Sequence, residues 1–487
     1  MHLLEQIDRW ARLAPDKAAH VSGDRVLTYG ELVTRADLLA AWLQIKLGHD
    51  YSPIAVLGHK EPEMLIAFLG AVKSGRPYVP IDTSIPAQRV ERIVAAAHAS
   101  LTLTPESVAC VTPSETHVRV PQIQPNDPFY ILFTSGSTGE PKGVVITLQN
   151  LSTFVRWMHA EHAFTEPGET FLNQAPFSFD LSVMDLYLSL TSGGTLFSIS
   201  KEEISNLPKL YKALAKSGVT TWVSTPSFAQ MCLAERTFDA AMLPQLRRFL
   251  FCGETLASDT AAQLIGRFPD AQVWNTYGPT ETTVATTSIR IDREILARFA
   301  PLPIGKAMPG SQVAVLDANL RRVPEGDRGE IVIAGPNVSP GYLGRDDLTA
   351  KAFFELDGMR AYRTGDSGHE QNGYLFFDGR MDEQIKLFGY RIELGDLEAN
   401  LRALPEIADA AVLPLRKGER VDSLVAFVVL AGTRVGSDFE ISARFKKQLG
   451  ERLPAYMLPR KFYFLDAFPL TANGKTDRRR LAEMLQK

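Results

Sequence analysis

Phe133-Thr134-Ser135-Gly136-Ser137-Thr138-Gly139-Glu140-Pro141-Lys142-Gly143 follows the apolar run Phe129-Tyr130-Ile131-Leu132, which reads as a buried strand. Three glycines, four hydroxyls and one lysine fall within residues 134–143. Glycine lets backbone N–H groups turn toward a ligand and approach it closely. The hydroxyls add donors and Lys142 adds a positive charge. A strand feeding such a loop has the chemistry of a phosphate cradle. It is not a Walker A loop: the spacing from Gly136 lands on Pro141, and Lys142 is followed by Gly143. The same composition also describes a plain surface loop, since Gly and Ser are common turn residues. The rest of the chain has to decide between the two.

On either side of the loop, strands alternate with helices. Upstream, Leu3, Leu4, Ile7, Trp10 and Ala11 share a helical face that Pro15 ends. Thr28 and Glu31 form a capping box opening the next helix. Strands are expected at 54–57, 78–81 and 101–103, with helices at 63–73 and 86–98. Downstream, strands are expected at 194–197, 221–223 and 249–251, with a helix at 207–216. This alternation implies βαβ units and parallel sheets covered on both faces. From about Gly310 short strands (313–316, 329–333, 373–377) separated by Gly, Pro and Asp suggest an antiparallel sheet or small barrel. A further α+β unit starts near Asp382. It has helices at 394–404 and 439–449 and strands at 410–414, 424–429 and 462–465. Its size suits a separate domain.

The chain has 487 residues, more than one core of about 250–300 residues supports. A net charge of −4 gives no general attraction to nucleic acid or to anionic membrane. Three widely spaced cysteines, Cys110, Cys232 and Cys252, suggest neither a disulfide framework nor a zinc site, and a reducing cytoplasm is the expected compartment. The N-terminal segment carries Glu5, Asp8 and Arg9 within its apolar pattern, which is not that of a signal peptide. No apolar run approaches the roughly 20 residues of a membrane span.

Four further clusters carry chemistry. Asn275-Thr276-Tyr277-Gly278-Pro279-Thr280-Glu281 offers a ring to stack on a base, a hydroxyl for a phosphate and a carboxylate for a hard cation. Tyr362-Arg363-Thr364-Gly365-Asp366 puts an aspartate on what reads as a tight loop, where it could accept ribose hydroxyls. Gly379-Arg380-Met381-Asp382 precedes Lys386 and the run Gly389-Tyr390-Arg391. Pro469-Leu470-Thr471-Ala472-Asn473-Gly474-Lys475 lies near the C-terminus. Taken singly, each is equally a surface turn or a solvated charge.

Together with the opening loop and in this order, the five motifs resemble the adenylate-forming superfamily of acyl-CoA synthetases, firefly luciferase and peptide-synthetase adenylation domains. The resemblance covers essentially the whole chain. It implies an α/β fold: a large N-terminal domain of two αβα layers plus a β-barrel (residues 1–381), and a small mobile α+β C-terminal lid domain (382–487). It also implies ATP and Mg²⁺. Thr134, Ser135 and the loop glycines would hold the β- and γ-phosphates. Asn275, Thr276 and Tyr277 would line the adenine site, with Tyr277 stacking; Gly278 and Pro279 would also belong to the nucleotide site, and Thr280 would contact the α-phosphate. Glu281 would bind Mg²⁺. Asp366 would hold the ribose, with Phe377 and Arg380 closing on the nucleotide. Lys475 would be the catalytic residue, reaching both the substrate carboxylate and the α-phosphate.

Ala175-Pro176-Phe177-Ser178-Phe179-Asp180 bears on the substrate. Asp180 in the place where amino-acid-activating members pair the α-ammonium points to an amino acid, since a simple fatty acid would leave the carboxylate unpaired. The competing role for Asp180 is capping the following helix. By the same resemblance Leu181, Met184, Cys252, Thr276 and Val284 would line a small uncharged side-chain pocket. Asp180, Cys252 and the 275–281 motif are similar to those of members that load D-alanine onto a carrier protein, where the thiol crowds the position of an L-methyl group. The implied partner is a phosphopantetheinylated carrier protein acting in trans, serving D-alanylation of teichoic acid or a related polymer. A monomer is expected. The alternatives are a stand-alone adenylation enzyme for another small amino acid in secondary metabolism, and a non-catalytic binding protein that keeps the fold. The presence of Lys475, Glu281, Asp366 and Arg380 argues against the last. His59, His159, His162 and His369 read as structural.

Overall fold

The strands follow one another along the chain with the spacing that the alternating pattern implies. The computed structural model describes residues 2–112, 121–136, 140–166, 168–387, 389–417, 420–432, 434–470 and 476–485. A polar hairpin comes first, β1 (Ala18–Ser22) and β2 (Arg25–Thr28), turned at Gly23 with φ +59°. Next come β3 (Ile54–Gly58), β4 (Tyr78–Asp82), β5 (Leu101–Leu103), β6 (Pro128–Thr134) and β7 (Lys142–Thr147). The second run is β8 (Thr170–Asn173), β9 (Thr195–Ser198), β10 (Thr221–Ser224), β11 (Arg248–Phe251), β12 (Gln272–Tyr277), β13 (Thr287–Ile291) and β14 (Lys306–Ala307). After these lie β15 (Gln312–Leu316), β16 (Gly329–Ala334), β17 (Gly341–Tyr342), β18 (Phe353–Leu356), β19 (Met359–Gln371) and β20 (Tyr374–Arg380).

Three sheets result. A nine-stranded sheet runs β14-β13-β12-β11-β10-β8-β9-β1-β2, parallel from β12 through β1. A six-stranded sheet runs β17-β7-β6-β4-β3-β5. The third is the antiparallel sheet expected after Gly310, ordered β15-β16-β19-β18 with β20 on β19. The Pro62–Lys73 helix is buried from Pro62 to Val72 and packs on β1, β2, β3 and β4, strands of both large sheets. The Leu181–Ser192 helix is buried along its whole length. A helix buried on every face lies between layers, and these two are the filling of the core. Trp10 Nε1 and the Tyr29 hydroxyl tie the N-terminal helices to that filling, donating to Thr191 O at 2.9 Å and Gly194 O at 2.8 Å.

The chain divides into two compact units. The first is Met1–Asp82, Ala97–Phe133 and Gly143–Met381; the second is Thr83–Ala96, Thr134–Lys142 and Asp382–Lys487. Within the second, β21 (Gln384–Leu387) pairs with β22 (Tyr390–Glu393), and β23 (Ile407–Lys417), β24 (Arg420–Leu430) and β25 (Lys461–Leu465) form a three-stranded sheet. The helices Leu394–Arg402 and Asp438–Gly450 bury Leu397, Leu401, Ile441, Phe445 and Leu449 in its core. Arg89 donates to the fully buried Asp396 at 3.0 Å. Among the described residues no helix is long and apolar enough to cross a membrane.

Candidate active site

In the nine-stranded sheet β8 is followed by β9 on one side and, after the crossover, by β10 on the other. The direction of winding reverses there, and the carboxyl ends of the strands beside such a reversal form a crevice. The loops leaving β8, β11 and β12 carry Asp180, Cys252 and the segment 278–284, three of the expected groups.

Asp180 occupies the N-cap position of the Leu181–Ser192 helix, yet its side chain makes no capping bond. Its Oδ2 instead accepts from the Thr280 hydroxyl at 2.6 Å. Leu181 and Met184, in the first turns of that helix, are buried. Cys252 is buried, and its thiol donates to Val284 O at 3.5 Å. The Thr276 hydroxyl donates to Phe251 O at 2.8 Å, and Asn275 Nδ2 donates to Pro303 O at 2.9 Å. These two side chains fix the end of β12 against its neighbours. At Gly278 an added Cβ would lie 2.7 Å from Ala285 Cα, so the backbone returns on itself where only glycine fits.

The return is strained. Thr283 and Val284 both have positive φ, +61° and +67°, a region costly for β-branched residues at about 1–3 kcal/mol each. Asn337 holds them there. Its Nδ2 donates to Thr282 O at 2.9 Å and Thr286 Oγ1 at 2.8 Å, its Oδ1 accepts from Ser311 Oγ at 2.7 Å, and its carbonyl accepts from Thr283 Oγ1 at 2.7 Å. Asn337→Ala removes the side-chain clamp. We expect it to lower the unfolding free energy by about 3 kcal/mol, measured by urea denaturation; a loss below about 0.5 kcal/mol would mean the turn holds itself.

Tyr277 ends β12. Its hydroxyl donates to Asp366 Oδ2 at 2.5 Å, and burial, with the Asp366 charge, pushes its pKa well above the ordinary phenol value. Arg380 donates through Nη1 to Asp366 Oδ1 at 2.8 Å and to Thr364 O at 2.7 Å. Phe377 stands 6.3 Å from the Tyr277 ring, tilted 40°. Asp366 was expected on a tight loop, but it lies inside β19, opposite Arg380 of β20. Gly365, at φ +68°, and a register shift at Ser367/Gly368 supply the kink that the Thr-Gly-Asp composition suggests. Pairing on both edges keeps the strand continuous. Glu281 is fully buried in the turn Thr280–Thr282, and its Oε1 accepts from the Tyr342 hydroxyl at 2.8 Å.

Asn275, Thr276, Tyr277, Gly278, Pro279, Thr280, Glu281 and Val284 thus share one segment. Hydrogen bonds from it reach Asp180, Cys252 and Asp366, and Asp366 in turn holds Arg380. Two residues that position this segment have no motif of their own, Asn337 and Tyr342, while Thr364, inside the 362–366 motif, accepts at Oγ1 from Asp366 N at 3.0 Å. The Gly335-Pro336-Asn337 and Pro340-Gly341-Tyr342 runs were the available signal, each a Gly/Pro pair followed by a large polar side chain that needs a partner if buried.

Of the opening loop, Thr134 ends β6, and its hydroxyl is buried with no hydrogen-bond partner among the described residues. In the second unit Ser135 Oγ donates to Arg391 O at 3.0 Å and accepts from Glu393 N at 3.1 Å. Ser137, Thr138, Gly139 and Lys475 lie outside the described residues. The four histidines read as structural include His59, on Asp82 at 2.6 Å, and His369, on Asp378 at 2.8 Å. Burial pushes His159 down to about 4 and His162 to about 3, so both are neutral.

Comparison with known proteins agrees with this architecture. The family of AMP-binding enzymes matches residues 7–343, and the AMP-binding enzyme C-terminal domain matches residues 396–475. A D-alanine--D-alanyl carrier protein ligase of Bacillus thuringiensis (strain Al Hakam) is 46% identical over 502 residues, covering 99% of each chain. Holo-PA1221, a peptide-synthetase protein containing adenylation and PCP domains bound to a vinylsulfonamide inhibitor, is 27% identical with a TM-score of 0.83, over 99% of this chain and 84% of that one. The Vibrio cholerae adenylation domain AlmE, in complex with glycyl-adenosine-5'-phosphate, shares the fold at a TM-score of 0.85 and 23% identity, over 99% of this chain and 97% of that one. With both family domains matched and a full-length relative 46% identical, the chain belongs to the adenylate-forming AMP-binding enzymes and, among them, to the family of the D-alanine--D-alanyl carrier protein ligases.

Proposed function

We propose that this protein activates D-alanine with ATP as the aminoacyl-adenylate and passes the D-alanyl group to the phosphopantetheine thiol of a carrier protein. The observation that carries the reading is the Asp180 carboxylate at the winding reversal, joined to Thr280 at 2.6 Å. A counter-charge for the substrate ammonium accepts directly from the hydroxyl of Thr280, the residue expected to contact the α-phosphate. The full-length likeness to a D-alanine--D-alanyl carrier protein ligase supports the choice of amino acid and of acceptor.

In the first step a substrate carboxylate oxygen attacks the α-phosphorus and pyrophosphate leaves. No base is needed, because the nucleophile is ionised near neutral pH. Asp180 holds the ammonium, and Leu181, Met184, Cys252, Thr276 and Val284 leave room for a methyl group. Tyr277, Asp366, Phe377 and Arg380 bind adenine and ribose. Thr134, Ser135 and the loop glycines bind the departing phosphates, and the orphan Thr134 hydroxyl has the donor that role needs. Lys475 neutralises charge at the reacting centre. The buried carboxylate of Glu281, oriented by Tyr342, suits Mg²⁺, which takes one or two carboxylates and keeps its remaining sites for phosphate and water. When bound, the ion would offset the charge of the phosphates. In the second step the carrier thiol attacks the acyl carbon and AMP leaves. Residues 382–487 serve as the mobile lid between the two steps.

Amino-acid-dependent pyrophosphate exchange with D-alanine, L-alanine, glycine and L-serine tests the assignment, D-alanine being expected to give the highest kcat/KM. Clear preference for an L-amino acid would sink it. Cys252→Ala should keep adenylation and narrow the D/L preference by roughly tenfold, read in the same assay; abolished adenylation would give the thiol a role beyond shape.

A further inference from the structure

Lys60 is buried, at 2% exposure, and the reaction above does not use it. Its Nζ donates to three backbone carbonyls: Asn173 O at 2.9 Å, Gln174 O at 2.8 Å and Ile199 O at 2.8 Å. Asn173 is the last residue of β8, Gln174 is the first of the loop leading to Asp180, and Ile199 follows β9. Three carbonyl acceptors require three N–H donors, which the ammonium has and the neutral amine lacks. Burial pushes the lysine down to about 7, while Asp185, Asp82 and Glu203 work in the opposite direction; the bonding geometry is that of the charged form.

The loop is tied at other points from the same side. Asn173 Nδ2 donates to Ala175 O at 3.1 Å and to the buried Asp185 Oδ1 at 3.0 Å, and Asp185 sits on the helix that Asp180 begins. Ser198 Oγ donates to Asn173 Oδ1 at 2.8 Å, and His20 Nε2 pairs with that hydroxyl at 2.9 Å. Phe177, in the middle of the loop, packs edge-on against Phe68 at 5.5 Å. Phe68 belongs to the Pro62–Lys73 helix, which begins just after Lys60.

We propose that Lys60 is a positioning residue for amino-acid recognition: its ammonium fastens the start of the 174–180 loop to the ends of β8 and β9, and so sets where Asp180 presents its carboxylate. The kinetic test rests on the amino-acid-activating reading, and hydrogen exchange provides an arm that does not. In pyrophosphate exchange, Lys60→Met raises the KM for the amino acid roughly tenfold or more and leaves the KM for ATP within about twofold. Lys60→Gln, which keeps two donors, falls between Lys60→Met and the parent. Amide exchange by mass spectrometry shows peptides spanning 174–180 opening several-fold faster in Lys60→Gln, with peptides of 382–487 unchanged. Three results overturn the proposal: amino-acid KM unchanged in a folded variant, ATP and amino-acid KM rising together with uniform loss of protection, or failure of both variants to fold. Absence of amino-acid-dependent exchange in the unmodified protein would refute the activity reading instead, leaving the hydrogen-exchange arm to decide the role of Lys60.

Discussion

Asp180→Ala lowers kcat/KM for amino-acid activation by about 100-fold or more while the protein stays folded. On the proposed reading the substrate ammonium loses its counter-charge at a half-buried carboxylate, a cost of about 3 kcal/mol, which is roughly 100-fold. The fold is spared because the carboxylate caps nothing: its bond to Thr280 is between side chains and the helix keeps its start. Pyrophosphate exchange and circular dichroism on one preparation check both halves. A variant with parental kcat/KM would remove Asp180 from recognition. Collapse of the helical signal would return it to a structural role.

Asp366→Ala is expected to fail differently, losing stability and nucleotide affinity together. Tyr277 and Arg380 meet on its two oxygens. Without it a buried phenol and a guanidinium lose their common acceptor, a loss of about 3–5 kcal/mol in unfolding free energy. Asp366→Asn keeps an acceptor for the phenol and should cost less. Thermal unfolding with and without ATP separates the effects: the parent gains stability on ATP addition, and the alanine variant starts lower and gains less. An unchanged midpoint would mean that the three side chains are merely adjacent.

Much of this was legible in the sequence, and the exceptions have physical causes. Phe249-Leu250-Phe251 and Ile54-Ala55-Val56-Leu57 announce parallel strands because burial on both faces leaves no polar alternation. Asp180 stood out as a charge behind an apolar run. The β1–β2 hairpin was not anticipated: Ser22, Asp24 and Arg25 give it too little apolar character to read as strand. Asp366 was read as a loop residue because Thr-Gly-Asp favours turns locally, whereas β16 and β20 bind that segment on both edges and tertiary pairing overrides the local preference. The roles of Asn337 and Tyr342 were not legible, although Gly and Pro mark both runs, because their partners, Thr282, Thr286 and Glu281, lie far back along the chain.

The two sides of the crevice are built to change at different rates. Tyr277, Asp366 and Arg380 belong to strands locked into ladders on neighbouring strands, so altering them disturbs the sheets themselves. Leu181 and Met184 project from one helix, and Cys252 follows the last residue of β11. Each can be exchanged without breaking a ladder bond. On the proposed function, descendants of such a chain could inherit the nucleotide side intact while drifting from one small acid to another.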